Sequence, residues 1–159
     1  LEARSFPNGA HVAEVEIDPE TGKTMVDHYV VVDDFGNLIN PLLAEGQVHG
    51  GVAQGLGQAL CEHVVYDEDG QLLTATFMDY AMPRAVDMPF VKFETEPVPS
   101  TANIMGMKGC GEAGTVGAMA AVANAVQDAL WDRGVTQADM PFTPHRVWQM
   151  LNDAPKAAE

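Results

Sequence analysis

Five glycines fall within residues 46–57, in a stretch that otherwise has the character of a helix. Asn40 and Pro41 are suited to an N-cap and a first helical residue, which predicts a helix from residue 41 to about residue 62. Each helical glycine costs about 1 kcal/mol relative to alanine. This density of glycine therefore indicates a buried helix that another backbone or a bound ligand approaches very closely.

Strand patterns precede and follow this helix. Segments rich in β-branched and apolar residues, separated by turn residues, predict two hairpins and one further strand, at residues 11–17 with 24–32, 64–66 with 71–77, and 91–96. Residues 78–89 contain prolines and no clean periodicity, which predicts a long ordered loop that could cover a site.

Two more helices are predicted in the last third of the chain. An alanine-rich helix over residues 114–133 has a repeating apolar face at Val116, Ala120, Ala123, Val126 and Leu130. A final short helix begins at Thr143-Pro144, with Val147, Trp148 and Leu151 on its buried side. The expected fold class is α+β, with one domain over residues 1–152 and a frayed tail at 153–159.

Composition excludes several classes of function. The formal net charge of -15 disfavours binding to nucleic acid or to anionic lipid. The longest uncharged run, residues 46–61, is too short and too polar to span a bilayer. Cys61 and Cys110 form no metal-binding or disulfide pattern, which favours a reducing compartment. With no export signal in the sequence given, the expected location is the cytoplasm.

Residues 108–115 place three glycines, a thiol and a carboxylate immediately before the alanine-rich helix. Such a loop exposes backbone N–H groups that can bind a ligand. Gly109, Gly111 and Gly114 also satisfy the GxGxxG pattern, which requires a preceding strand and an acidic residue about 20 positions later at the end of another strand. Residues 100–106 are a poor strand, and the aspartates that follow lie within the helix. Nicotinamide dinucleotide binding is therefore disfavoured.

Glu112 is the carboxylate in this loop. The simplest explanation from sequence is a favourable charge near a helix N-terminus, worth about 0.3 to 1 kcal/mol. A functional explanation is that the flanking glycines let a substrate or cofactor approach, and that burial then favours uptake of a proton by a general base. The residues alone leave both explanations open.

Other polar groups near the glycine-rich segments also have two interpretations. Cys110 has no assignable histidine or carboxylate partner, which favours a structural role over that of a nucleophile. Gln47 and Gln54 share one face of the predicted helix, and Gln58 continues it. Buried amides need hydrogen-bond partners, so these amides either hold a heterocyclic ligand or form a hydrogen-bonded core.

The two glycine-rich segments, GQVHGGVAQGLG at residues 46–57 and KGCGEAG at residues 108–114, resemble the last two cofactor-binding segments of the xanthine dehydrogenase and aldehyde oxidase family. Their order and separation are similar as well. The resemblance extends from the opening hairpin to the final helix, and it is greatest to bacterial large subunits of the carbon monoxide dehydrogenase type.

This resemblance implies a portion of a larger molybdopterin-binding domain. It implies a molybdenum hydroxylase that oxidises an aldehyde, an N-heterocycle or a similar small substrate with water as the oxygen source. Glu112 would be the base towards the molybdenum-bound hydroxyl, and Gln47 would contact the pterin. Lys108, Gly109, Cys110 and Gly111 would line the cofactor, and no side chain is assigned as a metal ligand.

The same resemblance implies the cofactor and the partners. The cofactor is molybdenum-molybdopterin, expected in its cytosine dinucleotide form. Iron–sulfur and flavin groups would be bound by partner subunits or domains, since two cysteines cannot ligate an iron–sulfur cluster. The upstream remainder of the large subunit would complete the site. The alternatives are a non-catalytic cofactor-handling module and, less favoured, a nicotinamide dinucleotide-binding domain.

Overall fold

The computed structural model describes residues 4–154. Its elements are β1 Asn8–Ile17, β2 Thr24–Asp34, α1 Pro41–Leu60, β3 Val91–Thr95, α2 Ala113–Trp131 and α3 Pro144–Asp153, with a 3₁₀ turn at Ala85–Asp87. Within this part of the chain, the three strands form one sheet in the order β1-β2-β3. β1 and β2 are antiparallel, whereas β2 and β3 are parallel. The predicted α+β fold class is confirmed.

The opening hairpin is formed by β1 and β2, as predicted. Pairing shifts between Glu14, which lies opposite His28, and Val15, which lies opposite Val26. Asp27 is therefore an extra residue in β2, which is a β-bulge. Because a bulge changes which positions face inward, the buried side chains of β2 pass from Val26 to Tyr29, Val31 and Asp33.

α1 and α2 pack against each other, and both also contact the sheet. The α1 helix begins as predicted, because the Asn40 side chain accepts a hydrogen bond from the backbone N–H of Leu43 at 3.2 Å and Pro41 is in the first turn. The side chains that fill the shared interior are small or branched: Val48, Val52, Leu56, Ala118, Val122, Val126 and Leu130. This core holds the N-terminal half of α1 next to the start of α2.

The predicted second hairpin is wrong as a pair of strands. A bridge joins Tyr66 and Leu72 across a turn, and the N–H of Leu73 donates to the carbonyl of Val65 at 2.8 Å. Neither residues 64–66 nor residues 71–77 form a strand. Most side chains here are exposed, so there is no buried face to stabilise a longer ladder.

Details of the last two helices also differ from the prediction. Of the face predicted for α2, Val116 is 62% exposed and Ala120 is exposed, whereas Ala123 is partly buried against the core and Val126 and Leu130 are buried. The buried face also includes Ala118 and Val122. In α3, Val147 is buried as predicted, whereas Trp148 is 41% exposed and stacks on His145 at 6.4 Å. Of the predicted tail, residues 153 and 154 lie at the end of α3, and residues 155–159 lie outside the described residues.

The segment between α1 and β3 contains the predicted long loop. Residues 77–84, 86 and 87 line a cavity of about 1190 Å³, together with the C-terminal end of α1 and the turn end of the hairpin. Phe77, Met78, Val86 and Phe90 are each more than 80% exposed in this segment. None of the helices in residues 4–154 is long and apolar enough to cross a membrane.

Candidate functional site

The glycine-rich loop that contains Lys108 and Glu112 leads into α2, and its first residues lie beside the residues that follow β2. The backbone N–H of Lys108 donates to the carbonyl of Phe35 at 2.8 Å, and the N–H of Asn37 donates to the carbonyl of Gly106 at 3.0 Å. A bridge between Gly36 and Met107 lies between these two bonds. The start of the loop is thus joined to the sheet, while its end continues into α2 at Ala113.

The Lys108 side chain is directed towards the protein interior. Its ammonium group forms an ion pair with Asp34, and both side chains are buried, with exposed fractions of 10% and 7%. The Asp34 carboxylate also accepts hydrogen bonds from the N–H groups of Gly36 and Val98, at 2.8 and 2.9 Å. The hydrogen bond from Lys108, followed by these backbone donors, lowers the pKa of Asp34 to about 2. The backbone of Lys108 therefore lies in the loop, while its charged side chain lies in the interior and pairs with Asp34.

Gln47 links the two glycine-rich segments directly. Its side-chain amide donates to the carbonyl of Gly111 at 2.8 Å. Seven residues further along α1, the side-chain oxygen of Gln54 accepts a hydrogen bond from the Thr115 hydroxyl at 3.1 Å. Gln47 and Gln54 share one face of α1, as their spacing predicts, and this face contacts the loop and the first turn of α2. All three glutamines, including Gln58, are exposed. The structure therefore brings the Gln47 side chain to the loop that carries Glu112.

Apart from Gly57, which lies against the side chains of Glu62 and Pro83, the glycines of these segments fall into two groups. Gly51, Gly55 and Gly114 allow α1 and α2 to approach closely, since a methyl group at Gly51 would lie 2.9 Å from the Thr115 nitrogen and one at Gly114 would lie 2.4 Å from the Val48 carbonyl. The prediction that a second backbone comes close is confirmed at these positions. In contrast, a methyl group at any of four other glycines would meet no atom of residues 4–154 within 4 Å: Gly46, Gly50, Gly109 and Gly111.

Glu112 is the N-cap residue of α2 and its side chain is exposed. Its backbone carbonyl accepts from the N–H of Val116 at 3.0 Å, but its carboxylate caps no N–H group of the described helix. Glu112 therefore lies at the helix N-terminus, as the charge–dipole explanation requires, but its side chain forms no capping hydrogen bond there. Its neighbours Gly109 and Gly111 are exposed, whereas Cys110 is a free, half-buried thiol that packs against the core.

The arrangement of these groups suits an anionic, ring-containing cofactor. The first N–H groups of the 19-residue helix α2 have no partner within the helix, and they lie next to a loop whose two glycines leave space that side chains would fill. Gln47 adds an amide with both donor and acceptor atoms at the same place. The Glu112 carboxylate is exposed beside this loop and caps no N–H group among residues 4–154.

Sequence reasoning missed Asp34 as part of this site. The second predicted strand ends at residue 32, but β2 continues to Asp34, and the side chains of Asp33 and Asp34 are buried. Two adjacent acids at the end of a β-branched run were the available signal. The cavity beside residues 77–87 lies at the other end of α1, and none of the predicted site residues lines it. The GxGxxG glycines follow a non-strand segment, since β3 ends at Thr95.

The sequence matches the family described as molybdopterin cofactor-binding domain over residues 2–89, which include Gln47. The gamma subunit of the 6-hydroxypseudooxynicotine dehydrogenase complex of Paenarthrobacter nicotinovorans is 40% identical over 98% of this chain and 20% of its own. The carbon monoxide dehydrogenase large chain of Hydrogenophaga pseudoflava is 39% identical over 94% of this chain and 19% of its own. These two alignments cover more of the chain than the family match does.

Solved structures give the same result. The crystal structure of quinoline 2-oxidoreductase from Pseudomonas putida 86 superposes with a TM-score of 0.91 and 43% identity, over 94% of this chain and 19% of that one. The chain spans about a fifth of the length of the relatives it matches. The resemblance inferred from the two glycine-rich segments is thus confirmed, and the chain belongs to the molybdopterin cofactor-binding domain family of the xanthine dehydrogenase and carbon monoxide dehydrogenase type.

Proposed function

We propose that this chain supplies part of the active site of a molybdenum hydroxylase that oxidises an aldehyde, an N-heterocycle or a similar small substrate with water as the oxygen source. In this proposal residues 1–152 are the C-terminal portion of the large subunit's molybdopterin-binding domain. One observation carries the proposal: the free carboxylate of Glu112 lies beside Gly109 and Gly111, whose open surface is joined to Gln47 by a hydrogen bond.

The residues of this surface have distinct roles in the proposal. Gln47 and the backbone of Lys108, Gly109, Cys110 and Gly111 bind the pterin part of the cofactor. The bound cofactor supplies the redox chemistry and the site of oxygen transfer. Glu112 accepts the proton of the water-derived nucleophile as its oxygen bonds to the substrate carbon. The C–H bond of that carbon breaks in the same reaction, and its two electrons would pass to the cofactor.

The exposure of Glu112 in this chain also fits the proposal. A carboxylate that is exposed here becomes an effective base when cofactor, substrate and the rest of the subunit exclude water from it, since burial without a counter-charge favours the protonated form. Gly46 and Gly50 face the same kind of open space on α1, which the cofactor or the rest of the subunit would fill. Occupation of this space would explain why glycine stands at these positions, which the packing of α1 against α2 does not explain.

The cofactor form and the partners are part of the same proposal. The cofactor is molybdenum-molybdopterin in its cytosine dinucleotide form, and electrons leave through iron–sulfur and flavin groups on partner chains. The two cysteines of this chain are too few to ligate a cluster. The upstream remainder of the large subunit completes the site, and the complex is cytoplasmic.

Analysis of the natively purified complex tests this function. Metal analysis should find molybdenum, acid release should yield a cytidine nucleotide, and mass spectrometry should identify co-purifying iron–sulfur and flavin chains. A complex that binds the cofactor but lacks those chains and oxidises no substrate would instead indicate a non-catalytic cofactor-handling module. Bound nicotinamide dinucleotide without molybdenum would refute the proposal.

Matched variants on α1 connect this result to the site. Gln47→Leu removes the amide that donates to Gly111, whereas Gln58→Leu changes an exposed amide on the same helix. We expect Gln47→Leu to lower the molybdenum and pterin content of the complex and Gln58→Leu to leave both unchanged. Equal cofactor content in the two variants would remove Gln47 from the binding site.

A further inference from the structure

We propose that Asp34 and Lys108 are positioning residues that hold the Glu112 loop in its working geometry. The inference rests on the proposed role of Glu112 and extends it to a pair of residues buried beneath the loop. Neither side chain reaches the open surface where the cofactor is proposed to bind, because each is buried against the other. Their effect on the reaction is therefore exerted through the loop.

The first step of the argument is that Asp34 is itself held in place. Its carboxylate accepts from the N–H groups of Gly36 and Val98 and from the side-chain amide of Asn8, at 2.8, 2.9 and 3.3 Å. These donors come from the residues after β2, the segment after β3 and the start of β1. Because three separate segments of the fold donate hydrogen bonds to this carboxylate, its position is fixed. The ion pair with Asp34 can therefore fix the position of the Lys108 ammonium group.

The second step is that Lys108 transmits this fixed position to the loop. Its ammonium group pairs with Asp34, and its backbone N–H donates to the carbonyl of Phe35 at 2.8 Å. Four residues, 109–112, then connect Lys108 to the first residue of α2. Lys108 therefore fixes one end of the loop and α2 fixes the other.

The third step is that few other contacts within the described residues hold the loop: Cys110 packs against the core, but the glycines on either side of it make no such contact. Gly109 and Gly111 are exposed and have open space where a side chain would be, and glycine has the greatest backbone freedom of any residue. The carbonyl of Gly111 accepts from Gln47, which is the remaining side-chain contact to the loop backbone. Loss of the Lys108 anchor should therefore allow the Glu112 carboxylate to move relative to its target.

Such movement has a defined kinetic consequence. A misplacement of about 1 Å in a catalytic group can cost about 10²-fold in rate. Because the displaced group acts mainly in the transition state, the loss should appear in kcat with little change in KM. A residue that only stabilised the fold would lower the amount of active enzyme without changing the turnover of each properly loaded molecule.

The test uses the complete enzyme that contains this chain. Lys108→Met removes the anchor, Lys108→Arg restores a cation, and Lys92→Met removes a cation from an exposed pair with Glu94 at 2.8 Å, as the matched control. The two measurements are hydrogen–deuterium exchange of the amides at residues 109–112 and kcat and KM at equal molybdenum content. Asp34→Asn, which keeps the shape of Asp34 and its acceptor oxygen, replaces Lys108→Met if that variant loses the circular dichroism of the folded enzyme.

We expect Lys108→Met to speed exchange at residues 109–112 and to lower kcat by about 10²-fold with KM little changed. Lys108→Arg should recover most of both quantities, and Lys92→Met should match wild type. Unchanged exchange and unchanged kcat in Lys108→Met, beside an inactive Glu112→Gln enzyme, would overturn the positioning role and leave the proposed function intact. If Glu112→Gln retained activity, the role of Glu112 would fail instead, while exchange would still report whether Lys108 anchors the loop.

Discussion

Adjacent glycines on α1 provide a direct test of how the two long helices pack. A methyl group at Gly51 would lie 2.9 Å from the Thr115 nitrogen and 3.0 Å from the Gly114 Cα atom, both of them backbone atoms of the second helix. At Gly50 a methyl group would meet no atom of residues 4–154 within 4 Å. Gly50→Ala and Gly51→Ala thus add the same group to the same helix with opposite surroundings.

The expected magnitudes follow from two competing effects. Replacement of a helical glycine by alanine stabilises a helix by about 1 kcal/mol, which is the whole effect at Gly50. Overpacking costs about 1–3 kcal/mol, and the upper end applies at Gly51 because the obstructing atoms belong to backbone and cannot rotate away. Gly51→Ala should therefore be destabilising by about 2 kcal/mol net, and the two variants should differ by about 3 kcal/mol.

Thermal and urea unfolding of the isolated chain measure this difference. At about 2–4 °C per kcal/mol for a chain of this length, Gly50→Ala should raise Tm by a few degrees and Gly51→Ala should lower it by about twice as much. In the assembled enzyme Gly50→Ala should lose its advantage, because the open space is proposed to be filled there. Equal stability of the two variants would refute the packing of α1 against α2 described above.

Further outcomes follow from the same structure. The isolated chain should fold but should not turn over aldehydes or purines when supplied with mature cofactor, so robust dye reduction by the monomer would contradict the need for the rest of the subunit. Its exposed apolar side chains, including Leu42 at 75% and Phe77 at 84%, should cause self-association in light scattering, which a clean monomer at high concentration would disprove. The folded-state pKa of Asp34, about 2 against an ordinary 3.8, means that its contribution to the free energy of unfolding is present above about pH 4 and is lost as pH falls through about 2. Asp34→Asn should therefore show a shallower loss of stability over that window in urea titrations, and an unchanged slope would contradict the ion pair with Lys108.

Local sequence patterns correctly predicted the elements that turn residues, helix caps and β-branched runs define. The first hairpin, the start of α1 at Asn40-Pro41, the start of α3 at Thr143-Pro144 and the strand near residue 91 all agree with the structure. Turn residues, caps and β-branched runs act within a few positions of the chain. Each of these features can be recognised without knowledge of what it packs against.

The errors in the predicted elements arose where burial and packing against other elements, rather than local sequence, determine the structure. Residues 64–77 have the composition of a hairpin but lie exposed, so turn chemistry forms a bridge without extended strands. In α2 nearly every position is apolar, so periodicity alone could not choose between the face with Val116 and the face with Ala118. The close approach of α1 at Gly51 and Gly55 selects the second face.

The glycine-rich segments of the candidate site were predicted from the sequence, but the buried side chains that hold the loop in place were not. The two glycine-rich segments and the shared helix face of Gln47 and Gln54 were accessible from motif and spacing, whereas the hydrogen bond from Gln47 to Gly111 was not. The inward direction of the Lys108 side chain was not accessible either, because its partner Asp34 is 74 positions away in the sequence and lies beyond the predicted end of its strand. A contact between residues so distant has no local signal, and it becomes visible only when the sheet and loop are assembled.

The most direct test of the proposed function is the turnover of Glu112→Gln in the assembled enzyme. The substitution keeps the shape of the side chain and removes its capacity to accept a proton, so folding and cofactor content should be preserved. General-base assistance is worth about 10²- to 10⁴-fold, and kcat should fall by a factor at the upper end of this range or beyond it. KM should change less, because the lost interaction belongs mainly to the transition state. The measurement is kcat for both enzymes at matched molybdenum occupancy across pH, where the wild type should lose activity on the acidic side as its base becomes protonated. A variant that kept most of its activity and the same acidic limb would show that another residue is the base.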